Sequence, residues 1–299
     1  MPTLTLDAAR DDFNDHLRAR RRTERTRELY RQAITRLDNH LGGDVGVTRI
    51  TKRDIVSHIN TMLDTPGIGA ATVALHFRHL RAFFNWLVTE DELTASPMKG
   101  LQEPSAPDAP PDVLTDTQLE ALLDACKGRD FMARRDTALV MVFADTGIRL
   151  GEIHGLELGD WHREHRTLTV TGKGEKTRPV PIGDRATDAL AKYVRARRSH
   201  AHARLGALWL GLGGPLTASG IAQVLNRRGE LAGIGRVHPH QFRHTFAHEW
   251  LAAGGSESDL MLLAGWTSPE MVRRYGRAAA TDRAIAAHRR FSPLDRRTG

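Results

Sequence analysis

Between Leu6 and Leu87 the apolar side chains recur every three or four positions. Phe13 and Leu17 form one stripe, Leu29, Ala33 and Leu37 a second, Ile55, Ile59 and Leu63 a third, and Val73, Phe77, Leu80, Phe84 and Leu87 a fourth. That spacing puts each set on one side of a helix, so it predicts four amphipathic helices. Thr23, Thr51 and Thr72 stand where N-caps are expected. Glycine and proline at "LGGDVG" and "DTPGIG" supply the breaks, because neither residue sustains a helix.

The helical period stops at "LQEPSAPDAPPDV", where Pro104, Pro107, Pro110 and Pro111 favour an extended spacer. This divides the chain into an N-terminal helical domain over residues 1–101, a linker over 102–112 and a second domain over 113–299. A chain of 299 residues suits two domains of about 100–150 residues each. After the spacer, "LTDTQLEALLDAC" predicts a helix capped by Thr115, and "ARRDTALVMVFADTGIRLGEIHGLEL" a buried helix, a glycine turn and a second helix. The period then changes to two. "TLTVTGKGEKTRPVPIG" alternates apolar and polar residues about a Gly-Lys-Gly turn, which predicts a β-hairpin. Everything after Asp184 reads as helix again, punctuated at "GLGGPLTASG", "GIGRVHPH" and "GGSES". The fold class expected is therefore mainly α with a small antiparallel β-sheet.

Charge narrows the function. The net charge is +7 with a pI near 10.0, and only six of the 43 basic side chains are lysines. Arginine's planar fork recognises phosphate bidentately and never deprotonates, so this balance points to nucleic acid, although an arginine-rich coding bias contributes to it as well. Residues 1–104 carry 15 basic and 14 acidic groups, so the excess lies beyond them. The single cysteine, Cys126, excludes an intrachain disulfide framework and reads as a buried thiol. The longest apolar run, "ALVMVFA", is far short of the roughly 20 residues of a membrane span, and the N-terminus has no signal-peptide pattern. A cytoplasmic protein with no membrane partner is expected.

Tyr275 is one of three tyrosines, and it sits among arginines in "LLAGWTSPEMVRRYGR" instead of among apolar residues. Three further stretches carry the same polar character: "TGIRLGEIHGL" with Arg149, "VTGKGEKTRPVPI" with Lys173, and "HPHQFRHTFAHEWLAAG" with His240 and Arg243. In this order, and with Trp266 nine positions before Tyr275, they resemble the tyrosine recombinase (phage integrase) family. That family has an arginine in a Thr-Gly-x-Arg-x-x-Glu turn, a lysine on a β-hairpin, a His-x-x-Arg helix, and a His or Trp nine residues before a tyrosine. "LRAFFNWL" likewise looks like the last helix of the family's core-binding domain, so the resemblance spans nearly the whole chain. It implies a SAM-like four-helix core-binding domain and an α+β catalytic domain.

The chemistry implied is DNA strand cleavage and religation. Attack on a phosphodiester builds charge on the non-bridging oxygens, which two guanidiniums, Arg149 and Arg243, would stabilise. A phenol ordinarily titrates near pH 10 and must lose its proton as it attacks, so His240 is suited to relay it. Lys173 on the hairpin suits protonation of the departing 5′-oxygen, with Lys176 on the same turn as the alternative. Trp266 offers an indole N–H to a phosphate oxygen. Tyr275 is then the nucleophile, conserving the bond energy in a 3′-phosphotyrosine without cofactor or metal. The resemblance further implies a homo-tetramer on paired sites in double-stranded DNA, or a heteromer with a related recombinase, with the two domains clamping the duplex. Lys52, Arg53, Arg78, Arg81 and Arg178 are candidate DNA contacts outside the active site.

Alternatives remain for several residues. Arg149 could serve only to pair with Glu152, which is expected to orient the turn. His240, His244 and His248 repeat on one helical face, but no His-Glu-x-x-His accompanies them and an arginine sits between, against a metal site. Tyr30 and Tyr193 read as packing residues. Trp266 stands where His is more usual in the family and Phe242 where Leu is, and no arm-binding domain is expected before the helical one. Of these departures, Trp266 favours the integrase of a mobile element over an Xer-type dimer resolvase. A type IB topoisomerase-like enzyme and a catalytically silent DNA-binding regulator are the further alternatives.

Overall fold

Threonines supply most of the helix starts in the N-terminal part. In the computed structural model, which describes residues 4–43, 45–105, 112–172 and 175–272 with Ile285, His288, Arg289 and Ser292, α1 (Leu6–Ala19) follows Thr5 and α2 (Glu24–Leu41) follows Thr23. Each threonine hydroxyl accepts a backbone amide of the first turn, satisfying a donor that the helix cannot. At α3 (Lys52–Asp64) the cap is reciprocal: Thr51 accepts from the Asp54 amide and Asp54 from the Thr51 amide. α4 (Ala70–Thr89) departs from expectation. It starts after Gly69, without a side-chain cap, so Thr72 lies inside the first turn and caps nothing.

The four helices enclose a core of Phe13, Ile34, Leu37, Ile55, Leu80 and Phe84, with Phe83 beside them. Leu63 does not join it. At helical spacing the face of Ile55 and Ile59 continues to Met62, which is buried, and turns Leu63 outward to 44 % exposure. Tyr30 packs edge-on against Phe13, with ring centroids 5.4 Å apart.

A buried imidazole pair joins α3 to α4, with His58 Nε2 and His76 Nε2 2.8 Å apart. Burial, reinforced by His40 and Arg36 beside His58 and by His58, Arg36 and His79 beside His76, depresses both, to about 4 and about 3. The unfolded chain therefore takes up protons below about pH 6.5 that the folded chain refuses until lower pH. Stability from this pair is present above that pH and is lost as pH falls. We expect thermal unfolding of the chain to show a loss of about 2 kcal/mol or more between pH 7 and 4, in a transition that His58→Leu with His76→Leu makes less pH-dependent.

The chain divides into two compact units, Met1–Ala109 and Pro110–Gly299. The second contains α5 (Asp116–Ala125), capped by Thr115, and α6 (Phe131–Thr146), whose buried Ala138, Leu139, Val140, Val142 and Phe143 make it the central helix. After α6 come the short α7 (Leu150–His154) and a three-stranded antiparallel sheet, β1 (Trp161–His162), β2 (Thr167–Thr171) and β3 (Thr177–Pro181), in the order β1-β2-β3. The hairpin register pairs Leu168 with Val180 and Val170 with Arg178. α8 (Asp184–Arg197) packs on α6.

The stretch expected to be helical throughout contains a second small hairpin. β4 (Leu210–Gly211) and β5 (Gly214–Pro215) pair around a turn in which Gly214 has φ +133, a conformation that a side chain would resist. Beyond them lie α9 (Ala218–Leu231), α10 (Pro239–Ala252) and α11 (Glu257–Ala264). Among the described residues no helix is long and apolar enough to cross a membrane.

Two groups are fixed as structural by burial. Cys126 is enclosed, and burial pushes its thiol up to about 12, so it holds its proton and is not a nucleophile. Tyr193 is fully buried and stacked on Trp209; its hydroxyl donates to Leu208 O and accepts from the Leu210 amide, both at 2.9 Å.

Candidate active site

The site begins where α6 ends. Gly147 terminates the helix with φ +56, and a Cβ there would lie 2.8 Å from the Phe246 ring, so the turn and its packing both call for glycine. The turn delivers Arg149 to the start of α7, where Glu152 receives it. The Arg149 amide donates to Glu152 Oε2 at 2.9 Å and its Nη1 to Oε1 at 2.8 Å. Arg149 therefore does pair with Glu152, yet 45 % of its side chain stays exposed while Glu152 is only 3 % exposed. Burial would raise the Glu152 carboxyl, but hydrogen bonds from Arg178 and Arg149 hold it below the usual carboxylate range.

Arg178 overturns one expectation. Alternation along β3 puts it on the same side as the buried Val180, so it turns inward. Its Nη1 and Nη2 donate to Glu152 Oε1 and Oε2 at 2.9 and 3.0 Å, and its Nε to Leu263 O at 3.0 Å. Turned inward and 17 % exposed, it is not the open side chain expected of a duplex contact outside the active site. The signal was available in the hairpin: a residue in phase with Val180 and Ile182 belongs to the apolar side, and an arginine there needs a buried carboxylate.

α10 supplies the next group. Pro239 starts it, and Phe242 seats it on α6 by stacking on Phe143 at 5.5 Å between centroids, so phenylalanine fills this position as packing. Arg243, one residue on, is buried, donating to Gly147 O at 2.9 Å and Ala264 O at 2.6 Å. His240 is exposed one turn earlier, edge-on to His244 at 4.1 Å, whereas His244 is buried. Among the described residues no group of three or more His, Cys, Asp or Glu could hold a metal ion.

α11 brings these parts together. Gly265 closes it in the left-handed region at φ +63, and the Trp266 amide returns to Met261 O at 2.9 Å. The last carbonyls of a helix have no partner within it and carry the negative end of its dipole. Here three successive ones each accept from a different arginine: Leu263 O from Arg178, Ala264 O from Arg243 and Gly265 O from Arg149 at 3.1 Å. Trp266 follows directly, buried against Ala247, Leu251 and Leu260, with the Arg243 guanidinium 4.9 Å from the centre of its ring. Arg149, Lys176, Arg178, Trp266 and Thr267 line one cleft of about 840 Å³.

Lys173 and Tyr275 lie outside the described residues. Lys176, the other lysine of the hairpin turn, is exposed at the cleft. In the N-terminal unit Lys52 and Arg53 are exposed at the start of α3. Arg78 is exposed and 3.6 Å from Glu103. Arg81 is partly buried, 4.7 Å above the Phe77 ring and bonded to Leu101 O at 3.0 Å, so packing occupies much of its side chain.

Residues 112–282 match the phage integrase family, and residues 10–93 match the phage integrase N-terminal SAM-like domain. Tyrosine recombinase XerC of Azotobacter vinelandii (strain DJ / ATCC BAA-1303) is 30 % identical over 250 residues, covering 82 % of this chain and 83 % of that protein. Tyrosine recombinase XerC of Actinobacillus pleuropneumoniae serotype 7 (strain AP76) is 32 % identical over 222 residues, 73 % of this chain and 70 % of that one. In fold, the chain is similar to the Tn1549 transposon integrase in complex with a circular intermediate DNA. That match has a TM-score of 0.79 at 21 % identity, covering 96 % of this chain and 99 % of the other. It is also similar to the XerH site-specific recombinase bound to its difH substrate, with a TM-score of 0.72 at 19 % identity, covering 88 % and 79 %.

Proposed function

Because the chain belongs to the phage integrase family of enzymes that cleave and rejoin DNA, we propose that Tyr275 is its nucleophile and that Arg149, Arg243, His240, Lys173 and Trp266 serve the reaction at one phosphate. The Tyr275 hydroxyl oxygen bonds to phosphorus and the bond to the 5′-oxygen breaks. His240 takes up the phenolic proton, and Lys173 gives a proton to the departing oxygen. Arg149 and Arg243 stabilise the charge on the non-bridging oxygens, and the Trp266 indole donates to one of them. A 5′-hydroxyl from a second strand reverses the step, restoring the phosphodiester and freeing the tyrosine.

The observation that carries this reading is the gathering of Arg149, Arg243 and Trp266, from three separate elements, around the last turn of α11. We propose further that residues 1–101 form a core-binding domain, 102–112 a spacer and 113–299 the catalytic domain. Four chains then act on two paired sites in double-stranded DNA, with Lys52, Arg53 and Arg78 as backbone contacts of the first domain. For biological role we propose integration or excision of a mobile element, on the ground that Trp266 replaces the commoner histidine. The XerC relatives support a second reading, resolution of chromosome or plasmid dimers. Accumulation of circular dimers in a deletion strain would favour the second; an element junction carrying the bound sequence would favour the first.

The enzymatic test uses a nicked duplex carrying the sequence that the protein selects from random DNA. A covalent adduct on the 3′-phosphate side is expected. Lys173→Ala should form it roughly 100-fold more slowly with an ordinary 5′-oxygen, the upper scale for a general acid being larger still. Replacing that oxygen by sulfur, which leaves without a proton, should restore most of the rate. If Lys176→Ala shows this rescue and Lys173→Ala does not, the acid is Lys176.

A further inference from the structure

Glu152 holds two guanidiniums at once, and they are used differently. Its carboxylate is 3 % exposed, and each oxygen accepts one bond from Arg149 and one from Arg178. Arg149 is 45 % exposed and lines the cleft; Arg178 is 17 % exposed and spends its three nitrogens on Glu152 and Leu263 O. One carboxylate between two guanidiniums leaves one net positive charge. Since Arg178 is turned inward, that charge is presented by Arg149.

Resting on the reading of Arg149 as a clamp for the scissile phosphate, we propose that Arg178 is a positioning residue whose charge neutralises Glu152, so that Arg149 meets the phosphate with its own charge uncancelled and its guanidinium held in place. Without Arg178, the buried carboxylate would face Arg149 alone. The pair would be neutral as a whole, and much of the attraction for a phosphate oxygen would be lost. The carboxylate also supports the Arg149 backbone amide, so its charge cannot be dispensed with by removing the side chain outright.

The surroundings are shaped for this arginine. Its inward direction follows from strand parity, opposite the buried Val170. Gly265, at φ +63, leaves the space its guanidinium fills, for a Cβ there would come within 3.0 Å of Arg178 Cζ. A Cβ on Gly172 would stand 3.4 Å from Glu152 Oε1. Arg178 thereby ties β3, which follows the lysine-bearing turn, to α7 and to the end of α11, linking three parts of the site through one side chain.

The test measures the rate of covalent adduct formation by the full chain on the nicked duplex described above, at saturating DNA, with duplex affinity measured alongside. Arg178→Met should slow the adduct roughly 10-fold or more while affinity changes little, because the loss falls on charge at the reacting phosphate. Arg178→Lys, which keeps the charge, should recover part of the rate. Glu152→Gln combined with Arg178→Met removes both charges and should be faster than Arg178→Met alone. The ratio of Arg178→Met to wild type should also rise as pH falls, since a protonated Glu152 needs no compensation. A wild-type rate in Arg178→Met overturns the proposal, as does a double variant no faster than the single one. If Arg178→Met fails to fold, the comparison of Arg178→Lys with the double variant decides: the proposal stands only if both form adduct. Arg149→Ala in the same assay separates the two readings. Normal cleavage there overturns the phosphate clamp itself, whereas slow cleavage there with a fast Arg178→Met overturns the Arg178 proposal alone.

Discussion

Tyr275→Phe is expected to abolish the covalent adduct while leaving affinity for duplex DNA nearly unchanged. The substitution removes one oxygen, the atom proposed to bond to phosphorus, and alters no charge. Neither of the other two tyrosines can take over. Tyr193 is fully buried with its hydroxyl bonded on both sides, and burial raises its pKa, while Tyr30 is packed against Phe13 and His79 in the N-terminal unit. Denaturing gels after incubation with the nicked duplex check this, and an adduct of wild-type intensity from the variant would remove Tyr275 from the mechanism.

Arg149→Ala and Arg243→Ala should each slow adduct formation roughly 100-fold or more, the scale for losing one preorganised donor to developing charge. Their effects on stability should differ, because the two side chains sit differently. Arg149 is half exposed, and Glu152 keeps Arg178 when it is lost, so the melting temperature should fall little. Arg243 is buried and bridges Gly147 O at the end of α6 to Ala264 O at the end of α11. Its removal leaves two buried carbonyls without these donors and should cost about 2–5 kcal/mol as well as the rate. Single-turnover kinetics and thermal unfolding on the same preparations distinguish the two. Equal melting temperatures for both variants would contradict the bridging role of Arg243.

How much was legible beforehand follows from the range of the interactions involved. The cap at Thr51 was readable because its partner, Asp54, is three residues away, and the glycine at 147 was readable as a helix end because its backbone conformation is local. The hairpin was readable from the alternation of Leu168 and Val170 with threonines. Local reading failed where two neighbours competed for one place. Leu63 lost to Met62 by one position on the helical face, and Thr72 lost to a helix that began two residues earlier. The β4–β5 hairpin escaped because a pair of two-residue strands has no period to detect.

The chain's one-dimensional pattern determined the mainly helical class and the ordered set of arginine, lysine, histidine and tyrosine motifs, since each rests on spacing or on residue type. It did not determine which cations are free to meet a phosphate. Arg149 and Arg178 are alike in sequence, both arginines near a turn, and only the tertiary structure separates them. β3 turns Arg178 inward onto a carboxylate contributed by a helix 26 residues earlier, while the glycine turn leaves Arg149 partly open to the cleft. The physical reason is that buried acceptors must be matched by donors from wherever the fold brings them: Glu152 draws Arg178 from 26 residues away, and Gly265 O at the end of one helix draws Arg149 from 116.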